Sequence, residues 1–462
     1  NKYDLSSMYF NYAGSIYSQN FPIIDIVMNT MLKQEESTQG RHFFRMFNGM
    51  GDDQRAAAYL NGKSFEQAVL DNTLSTEVFY EMMKLKGVYL RNYINSRLSS
   101  NEFKEFMAEF MKKYQFQEVN FTRLNSEFIR KFHFNLMDFI PNWYTINSTP
   151  RFIVKGVDAD QVEIGDYTKY IVKFQVYNPT NVEGVISVNV EEGGGMFPGS
   201  PRGRRGRVAQ MESKPAKNYI IEPRKYKEIR ILCDERPSNL TINTNISQNL
   251  PSTIMQNFAK VTTTTTDTVT GIFDSNAALF TFNPKEITVD NEDPGFRIIE
   301  SNQKNKLQSF FKKESEDKYK NLNFWMPPSK WTATIGVNYY GDYINSAVYK
   351  KSGSGSNKTE WTTQIQIPGF YEVFVYTSEL PMMGWRRRGS EEKKMQYYTV
   401  KHDDGEEEIS VETGRGRQGW MTLGSFYFSA GEAKITLSDK GSESNQIIFA
   451  DAVKWVYTNN NK

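Results

Sequence analysis

The sequence predicts a multidomain α + β protein with an N-terminal helical domain, a central β-sandwich and a C-terminal all-β sandwich. Three observations support this fold class. Apolar residues repeat at helical spacing up to about residue 146, they alternate with period two from about residue 150, and tryptophan concentrates towards the C-terminus. A chain of 462 residues with 14% aromatic side chains is long enough, and apolar enough, to build several cores.

Residues 1–148 are predicted to form the helical domain. Three stripes of aromatic, aliphatic and methionine side chains recur at spacings of three and four, the period of a helix face that packs on a core. Ser99 and Glu102 match a capping box before the second stripe, and Pro141 marks the expected end of the third. We interpret the stripes as core rather than as a cofactor pocket. They are Val78, Met82, Leu85, Tyr89 and Tyr93; Phe103, Phe106, Met107, Phe110, Met111 and Tyr114; and Leu124, Phe128, Phe132 and Leu136.

Residues 149–255 are predicted to form a β-sandwich, because apolar and polar residues alternate from Tyr170 to Val176 and in the strands that follow. An insertion at 191–217 interrupts it and contains GGGMFPGSPRGRRGR. Glycine and proline at this density cannot bury enough surface to order a segment, so we expect a disordered basic arm for an acidic surface or an anionic glycan. Its arginines are Arg202, Arg204, Arg205 and Arg207.

Residues 256–280 are predicted to be a linker. The threonine-rich run VTTTTTDTVTG within them has the composition of a linker or of an extended edge strand. Residues 281–462 are predicted to form the C-terminal β domain, because alternating strands dominate and six of the seven tryptophans lie there.

Charge argues against a nucleic-acid-binding protein. The 56 basic and 54 acidic side chains leave a net charge of +2, whereas proteins that neutralise phosphates usually carry a basic balance or face. The stretch GRGRQG at 414–419 has the spacing of a dinucleotide fingerprint, but a strand follows where that motif requires a helix. We interpret it as a hairpin loop in which Arg415 and Arg417 face the acidic run Glu406–Glu408.

The sequence offers little for catalysis or metal binding. His42, His133 and His402 are far apart, and we interpret His133 as a packed residue of an aromatic helix. A zinc hydrolase needs three protein ligands and an open position for water, and no such ligand motif occurs. We therefore expect no catalytic residue, metal or cofactor in this chain. The single cysteine, Cys233, excludes an internal disulfide, and no run of 18 apolar residues predicts a transmembrane helix.

Five segments of the last domain carry a family resemblance. They are DNEDPGF (290–296), GFYEVFV (369–375), YTVKHDDG (398–405), WMTLG (420–424) and ADAV (450–453). In this order they resemble the golvesin C-terminal-like domain, which also occurs as the carbohydrate-binding module of xanthan lyase. The resemblance implies an all-β accessory module of extracellular or envelope proteins with a role in glycan binding.

The helical region is similar to the end of the catalytic domain of gluzincin aminopeptidases, the aminopeptidase N and leukotriene-hydrolase group. The segments that carry the similarity are LKGVYLRNYI (85–94), EFKEFMAEFMKKYQFQ (102–117) and FIPNWYTINSTPRF (139–152). Lys86 and Gly87 match that family, but Lys84 stands where it has its transition-state tyrosine, and its zinc helix is missing. Zinc would therefore be present only if a peptidase segment lies upstream of Asn1.

These resemblances give two main hypotheses. The first is a non-catalytic C-terminal part of a large, envelope-associated metallopeptidase-like protein of a Bacteroidetes-type bacterium, acting in substrate, glycan or partner binding. The alternative is the substrate-shaping portion of an active zinc aminopeptidase whose zinc centre lies upstream. Both predict a periplasmic, cell-surface or secreted protein, and a third hypothesis, an Arg/Gly-rich nucleic-acid binder, conflicts with the charge balance.

The C-terminal domain is where we expect a ligand site. Aromatic side chains stack on the apolar faces of sugars, so a glycan-binding sandwich needs exposed tryptophan or tyrosine beside hydrogen-bonding groups. The candidates are Trp385, which lies in a polar loop, and Tyr339 and Tyr340, because the segment VNYYGDY is not expected to turn both rings inward. Trp420 and Trp455 lie in apolar strands and are predicted to be core residues.

Overall fold

The computed structural model describes residues 16–33, 52–193, 216–258, 261, 263–300, 318–378, 394–414 and 417–458. Within these residues the chain divides into two compact units, with the boundary between Asn276 and Ala277. The first unit holds helices followed by a β-sandwich, and the second is built from three β-sheets. The predicted fold class is therefore confirmed.

Four helices of the first unit start at residues whose side chains cap them, namely α3, α4, α5 and α6 in the list below. The Ser99 hydroxyl accepts from the Glu102 backbone at 3.3 Å, and the Glu102 carboxylate accepts from the Ser99 backbone at 2.9 Å, which confirms the predicted capping box. Ser64 and Gln67 form a second box. The helices are α1 (Ile24–Lys33), α2 (Asp52–Leu60), α3 (Phe65–Leu70), α4 (Thr76–Asn95), α5 (Ser100–Lys113), α6 (Phe121–Phe132) and α7 (Ile140–Thr145).

The third predicted stripe ends earlier than expected. Helix α6 stops at Phe132 because His133 adopts a left-handed conformation with φ of 55°, which ends a helix. Pro141 instead lies in the first turn of α7, where its missing N–H costs no hydrogen bond. His133 is exposed at this helix end, so the interpretation of His133 as a packed residue was wrong.

The sandwich of the first unit has two sheets, with strand orders β10-β3-β4-β7-β11 and β6-β5-β8-β9. Phe174 and Val176 on one sheet and Ile186 and Leu240 on the other belong to one buried core. The strands are β3 (Ile153–Ile164), β4 (Tyr167–Tyr177), β5 (Gly184–Glu192), β6 (Lys217–Ile221), β7 (Tyr226–Cys233), β8 (Pro237–Asn243), β9 (Thr253–Asn257), β10 (Thr263–Thr265) and β11 (Gly271–Asp274). Two further short strands, β1 (Ile16–Tyr17) and β2 (Val119–Asn120), pair with each other within the helical region.

The predicted linker at 256–280 contributes strands to this sandwich. Strand β10, from the threonine run, pairs in parallel with β3, and β11 pairs antiparallel with β7, so each lies at an edge of the five-stranded sheet. Thr263 anchors β10, because its hydroxyl donates to the Asp160 carboxylate at 2.5 Å. Of the two predicted alternatives for the threonine run, the edge strand is therefore the one that the structure shows, because the run pairs with an open sheet edge.

The helical region packs directly on the sandwich, although the sequence predicted separate domains. The Asn92 amide of α4 donates to the side-chain oxygen of Asn245 at 2.7 Å, and the Asn245 amide donates to the Val185 carbonyl at 2.8 Å. Both asparagines are buried. Helices and sandwich thus form one compact unit held in part by paired polar groups.

The second unit contains sheets of four, five and three strands, with orders β12-β23-β17-β20, β13-β16-β21-β18-β19 and β14-β15-β22. Trp361, Tyr371, Tyr398 and Trp455 are buried in one core, which confirms the prediction for Trp455. The strands are β12 (Glu286–Val289), β13 (Phe296–Ile299), β14 (Thr332–Ile335), β15 (Ser346–Lys351), β16 (Lys358–Ile365), β17 (Gly369–Thr377), β18 (Lys394–His402), β19 (Gly405–Thr413), β20 (Gly419–Phe428), β21 (Gly431–Gly441), β22 (Ile447–Ala450) and β23 (Val453–Thr458).

Candidate functional site

The four-stranded sheet of the second unit carries aromatic side chains on the side that faces away from its core. In β17, Tyr371, Val373 and Val375 are buried, and the alternating residues Phe370, Phe374 and Tyr376 therefore lie on the other side. Phe370 is 41% exposed, whereas Phe374 and Tyr376 are half-buried. A strand with apolar residues on both faces either packs each face against another element or leaves one face open to a ligand.

A β-bulge in β20 extends this aromatic surface. The pairing register between β17 and β20 shifts between Val373 and Phe374, where Leu423 is the additional residue. Gly424 has a φ of 133°, which a side chain rarely adopts, and so it suits the bulge. Without the shift Trp420 and Tyr427, seven residues apart, would lie on opposite faces. With it, Trp420 pairs with Tyr376 and Tyr427 pairs with Phe370.

We call Phe370, Phe374, Tyr376, Trp420 and Tyr427 the aromatic face. The Phe370 and Tyr427 rings meet edge to face with centroids 5.4 Å apart, and the Tyr376 and Trp420 rings do so at 5.3 Å. At the strand rise of about 3.3 Å per residue, the face extends roughly 20 Å along β17. Trp420 is half-buried on this face rather than in the core, so the prediction for Trp420 was wrong. The prediction for Trp420 assumed regular alternation along the strand, and the bulge reverses that alternation.

Tyr340 closes one end of the aromatic face. Its ring centroid lies 5.1 Å from that of Trp420 and 5.7 Å from that of Tyr376. Burial raises the pKa of Tyr340, and its hydroxyl also bonds with the Thr288 side chain. Of the predicted site residues that the structure describes, Tyr339 and Tyr340, it is therefore Tyr340 that lies at this surface.

Tyr339, the other predicted site residue that the structure describes, does not lie on it. Tyr339 is buried, with its ring 5.8 Å from that of Phe449, because the two tyrosines of VNYYGDY point in different directions. Trp385 and the four basic-arm arginines, Arg202, Arg204, Arg205 and Arg207, lie outside the described residues. Sequence reasoning missed Phe370, Phe374, Tyr376 and Tyr427. The signal was present in GFYEVFVYT, where aromatic or aliphatic residues occupy both alternating sides of the strand and Glu372 is the one charged residue.

Polar groups are interleaved with the aromatic rings. The Lys454 ammonium lies 4.6 Å from the centroid of Trp420 and 5.6 Å from that of Phe374, and it pairs with Glu286 at 3.4 Å. Glu372 is exposed between Phe370 and Phe374. Burial raises the pKa of Tyr376 to about 12, and its hydroxyl bonds with the Gln418 side chain. The surface thus offers ring faces together with donors and acceptors.

Two buried carboxyl groups lie beneath the Tyr340 end of the face. Both oxygens of Asp451 accept from the Tyr340 backbone N–H, at 3.2 and 3.3 Å. Burial raises the pKa of Asp451, and the nearby Asp290 carboxyl raises it further. Burial likewise raises the pKa of Asp290, to about 8. Carboxyls with raised pKa values are uncommon away from functional sites.

Two further predictions concern metal binding and the arginine loop at 414–419. Within the described ranges, no group of three or more His, Cys, Asp and Glu side chains is placed to hold a metal ion. Strands β19 and β20 belong to different sheets, so these two strands do not form the predicted hairpin. Arg417 pairs with Glu412 at 3.2 Å rather than with the acidic run Glu406–Glu408, and Arg415 lies outside the described residues.

A protein-family model matches part of the second unit. The profile of the Golvesin C-terminal domain matches residues 320–457, a range that includes the whole aromatic face and Tyr340. This confirms the predicted golvesin resemblance over that range. No curated protein matches the chain. None of the helices that the structure describes is long and apolar enough to span a membrane.

Solved structures with some similarity to this chain include two carbohydrate-active enzymes. A xanthan lyase from Paenibacillus is 15% identical with a TM-score of 0.26, over 67% of this chain and 26% of the lyase. An exo-β-1,3-galactanase from Phanerochaete chrysosporium, solved with β-1,3-galactotriose, is 14% identical with a TM-score of 0.19, over 28% of this chain and 27% of the galactanase. A two-domain protein of unknown function from Bacteroides fragilis is 10% identical with a TM-score of 0.16, over 67% of this chain and 94% of that protein. These low scores carry no functional conclusion.

Proposed function

We propose that this chain is a non-catalytic, envelope-associated binding protein whose second unit holds a glycan on the aromatic face. The observation that carries the proposal is the set of five aromatic side chains on one side of a sheet, within the range matched by the Golvesin C-terminal domain. Aromatic rings of this kind have an apolar body suited to the C–H faces of sugars.

The arrangement suits an extended glycan that runs along β17. Sugar rings would stack on the aromatic side chains at both ends of the face, near Phe370 and near Trp420. Lys454, Glu372 and Gln418 lie between or beside the rings and would bond with sugar hydroxyl groups. A face about 20 Å long contacts several sugar units, so affinity should rise with oligosaccharide length until the face is filled.

A polysaccharide panel tests this proposal. Binding of neutral and acidic envelope and plant polysaccharides would be measured by affinity electrophoresis and by titration calorimetry with oligosaccharides. Trp420→Ala and Tyr340→Ala should each weaken binding roughly two- to twelvefold, because an aromatic contact contributes about 0.5–1.5 kcal/mol.

Trp325→Ala is the matched control, since Trp325 is 72% exposed in the same unit and does not belong to the aromatic face. It should leave the affinity unchanged. Loss of binding with Trp325→Ala alone would move the site to the 325 loop, and no binding to any polysaccharide would remove the proposal. Trp385→Ala in the same series tests the predicted contribution of Trp385.

The wider context is part of the same proposal. The match to the Golvesin C-terminal domain supports a periplasmic, cell-surface or secreted protein, and the chain spans 26% of the xanthan lyase it resembles. That match does not reach the helical region, so the metallopeptidase-like context and the alternative of a substrate-shaping peptidase portion stay predictions. Zinc content and aminopeptidase activity, measured with and without any upstream sequence of the gene, test both.

A further inference from the structure

A polar pocket opens on the helical region of the first unit, between the end of α5 and the start of α6. Its volume is about 450 Å³, within the range of pockets that hold small molecules. Two arginines, a lysine, a glutamate and a tyrosine line it, together with the polar residues Asn120, Thr122 and Ser126. This lining suits a polar or charged ligand rather than an apolar one.

Helix α6 places three of the lining residues on one side. Arg123, Glu127 and Arg130 follow one another at spacings of four and three, which brings their side chains to the same face of a helix. Asn120 fixes the start of that helix, because its side-chain oxygen accepts from the Arg123 backbone at 2.8 Å. The end of α5 completes the group, since the Lys113 ammonium lies 2.7 Å from a Glu127 oxygen. Three cationic side chains and one carboxylate thus share the pocket.

The pocket holds more positive than negative charge. The Glu127 carboxylate accepts from the Tyr114 hydroxyl and the Lys113 ammonium, and its other oxygen lies 3.4 Å from Arg130. Burial raises the pKa of Glu127, but its bonds with Lys113 and Tyr114 outweigh that and the pKa is lowered, so Glu127 is ionised at neutral pH. The Arg123 guanidinium lies 4.7 Å from the Tyr114 ring centroid, and none of the ion pairs found among the described residues includes Arg123. The lining residues therefore leave two positive charges unbalanced.

We propose that this pocket binds a sugar that carries an oxyanion, namely a carboxylate, phosphate or sulfate group. Arginine and lysine side chains bind such groups through charge-assisted hydrogen bonds, and an arginine can offer two of them at once. Arg123, Arg130 and Lys113 would hold the oxyanion, which fills only a small part of the volume. Thr122 and Ser126 line the rest. The Ser126 hydroxyl donates to the Thr122 carbonyl at 2.9 Å, so its oxygen is left to accept from a ligand hydroxyl.

Glu127 should oppose this ligand. The oxyanion and the Glu127 carboxylate would compete for Lys113 and Arg130, which already pair with Glu127. Glu127→Gln keeps a side-chain oxygen that accepts from Tyr114 but removes the charge. It should therefore strengthen binding, whereas a purely structural role of Glu127 would make the same substitution weaken it.

Ligand-observed NMR titrations of the full chain with glucuronate and with a glucose phosphate test the inference. Each should bind more tightly than glucose, which lacks an oxyanion. Inorganic sulfate should displace both, and their affinities should fall as sodium chloride is added. Arg123→Gln and Arg130→Gln should each weaken binding about threefold, and Glu127→Gln should strengthen it by about the same factor, as is typical of exposed charge pairs.

Lys112→Gln is the matched control, because it removes an exposed lysine next to Lys113 that does not line the pocket. It should leave both affinities unchanged. Equal weakening by Lys112→Gln and the two arginine variants would show general attraction to a basic helix surface and would overturn the inference. Charged sugars that bind no better than glucose would do the same, as would sulfate binding without either sugar, which means an adventitious ion only.

This inference goes beyond the proposed function and does not depend on it. The pocket and the aromatic face share no residue and belong to different units. Polysaccharide binding at the aromatic face should not respond to Arg123→Gln or Arg130→Gln, so failure of the polysaccharide panel leaves the pocket in place. Binding of charged sugars that neither arginine variant weakens would place their site elsewhere, and the inference would then be wrong.

Discussion

The two units bury isolated ionisable groups of opposite sign. In the first unit, Lys86 of α4 is 4% exposed, donates to the Trp143 carbonyl and lies over the rings of Phe65 and Trp143. Burial lowers the pKa of Lys86 to about 7. In the second unit, burial raises the pKa values of Asp290 and Asp451. Among the described residues, no ion pair relieves any of the three.

The difference shows how burial acts when no counter-charge is present. A desolvated site favours the neutral form, so a buried amine binds its proton less tightly and a buried carboxyl binds it more tightly than in water. The stabilities of the two units should therefore change with pH in opposite directions. The second unit also contains the contrasting case, the buried carboxylate Asp439, which has a cation as partner.

Loss of the Asp439 charge should have the largest effect on the stability of the second unit. Burial raises the pKa of Asp439, but its bonds with Lys350 and Asn357 outweigh that and the pKa is lowered. Its oxygens also accept from the Gly355 backbone at 2.7 Å. Asp439→Asn leaves Lys350 buried without a counter-charge and should lower the free energy of unfolding of the second unit by about 3–5 kcal/mol. Addition of Lys350→Met should recover part of this loss.

Urea unfolding followed by tryptophan emission measures this effect, because six of the seven tryptophans lie in the second unit. Asp404→Asn removes an exposed carboxylate of the same unit and should change the free energy of unfolding by less than about 0.5 kcal/mol. If Asp439→Asn unfolds like the wild type, Lys350 finds another partner or water, and the contrast between paired and isolated carboxyls fails.

Asp290 should make the second unit less stable as pH rises. Between about pH 4 and pH 8 the folded chain keeps a proton on Asp290 that the unfolded chain has already lost, so stability is greatest below the unfolded pKa and is lost as pH approaches 8. The slope for one proton is up to about 1.4 kcal/mol per pH unit. In the same urea experiment, Asp290→Asn should at least halve the slope of the free energy of unfolding against pH. An unchanged slope would show that Asp290 is solvated in the folded state.

The sequence predicted the period of each region more reliably than the details that create the site. Helical stripes, capping boxes and alternating strands are local patterns, and the fold class follows from them. The aromatic face depends on the bulge at Leu423 and Gly424, which reverses an alternation by one residue. The edge strand β10 depends on pairing with β3, more than 100 residues earlier in the chain. Such long-range pairing leaves no local periodic signal.

Lys86 should make the first unit more stable as pH rises. Between about pH 7 and the ordinary lysine pKa near 10.5, the unfolded chain binds a proton that the folded chain does not, so stability increases with pH by up to about 1.4 kcal/mol per unit. Cys233 gives a local readout, because it is the single cysteine and is buried in this unit, and its labelling in urea can be corrected against the unfolded chain at each pH. Lys86→Met should flatten the rise of the free energy of unfolding with pH. The control Lys84→Met removes a half-exposed lysine of the same helix, which pairs with Glu81, and should leave that rise unchanged. A falling slope in the wild type would mean that Lys86 is charged in the folded state, and the opposite responses of the two units would then not hold.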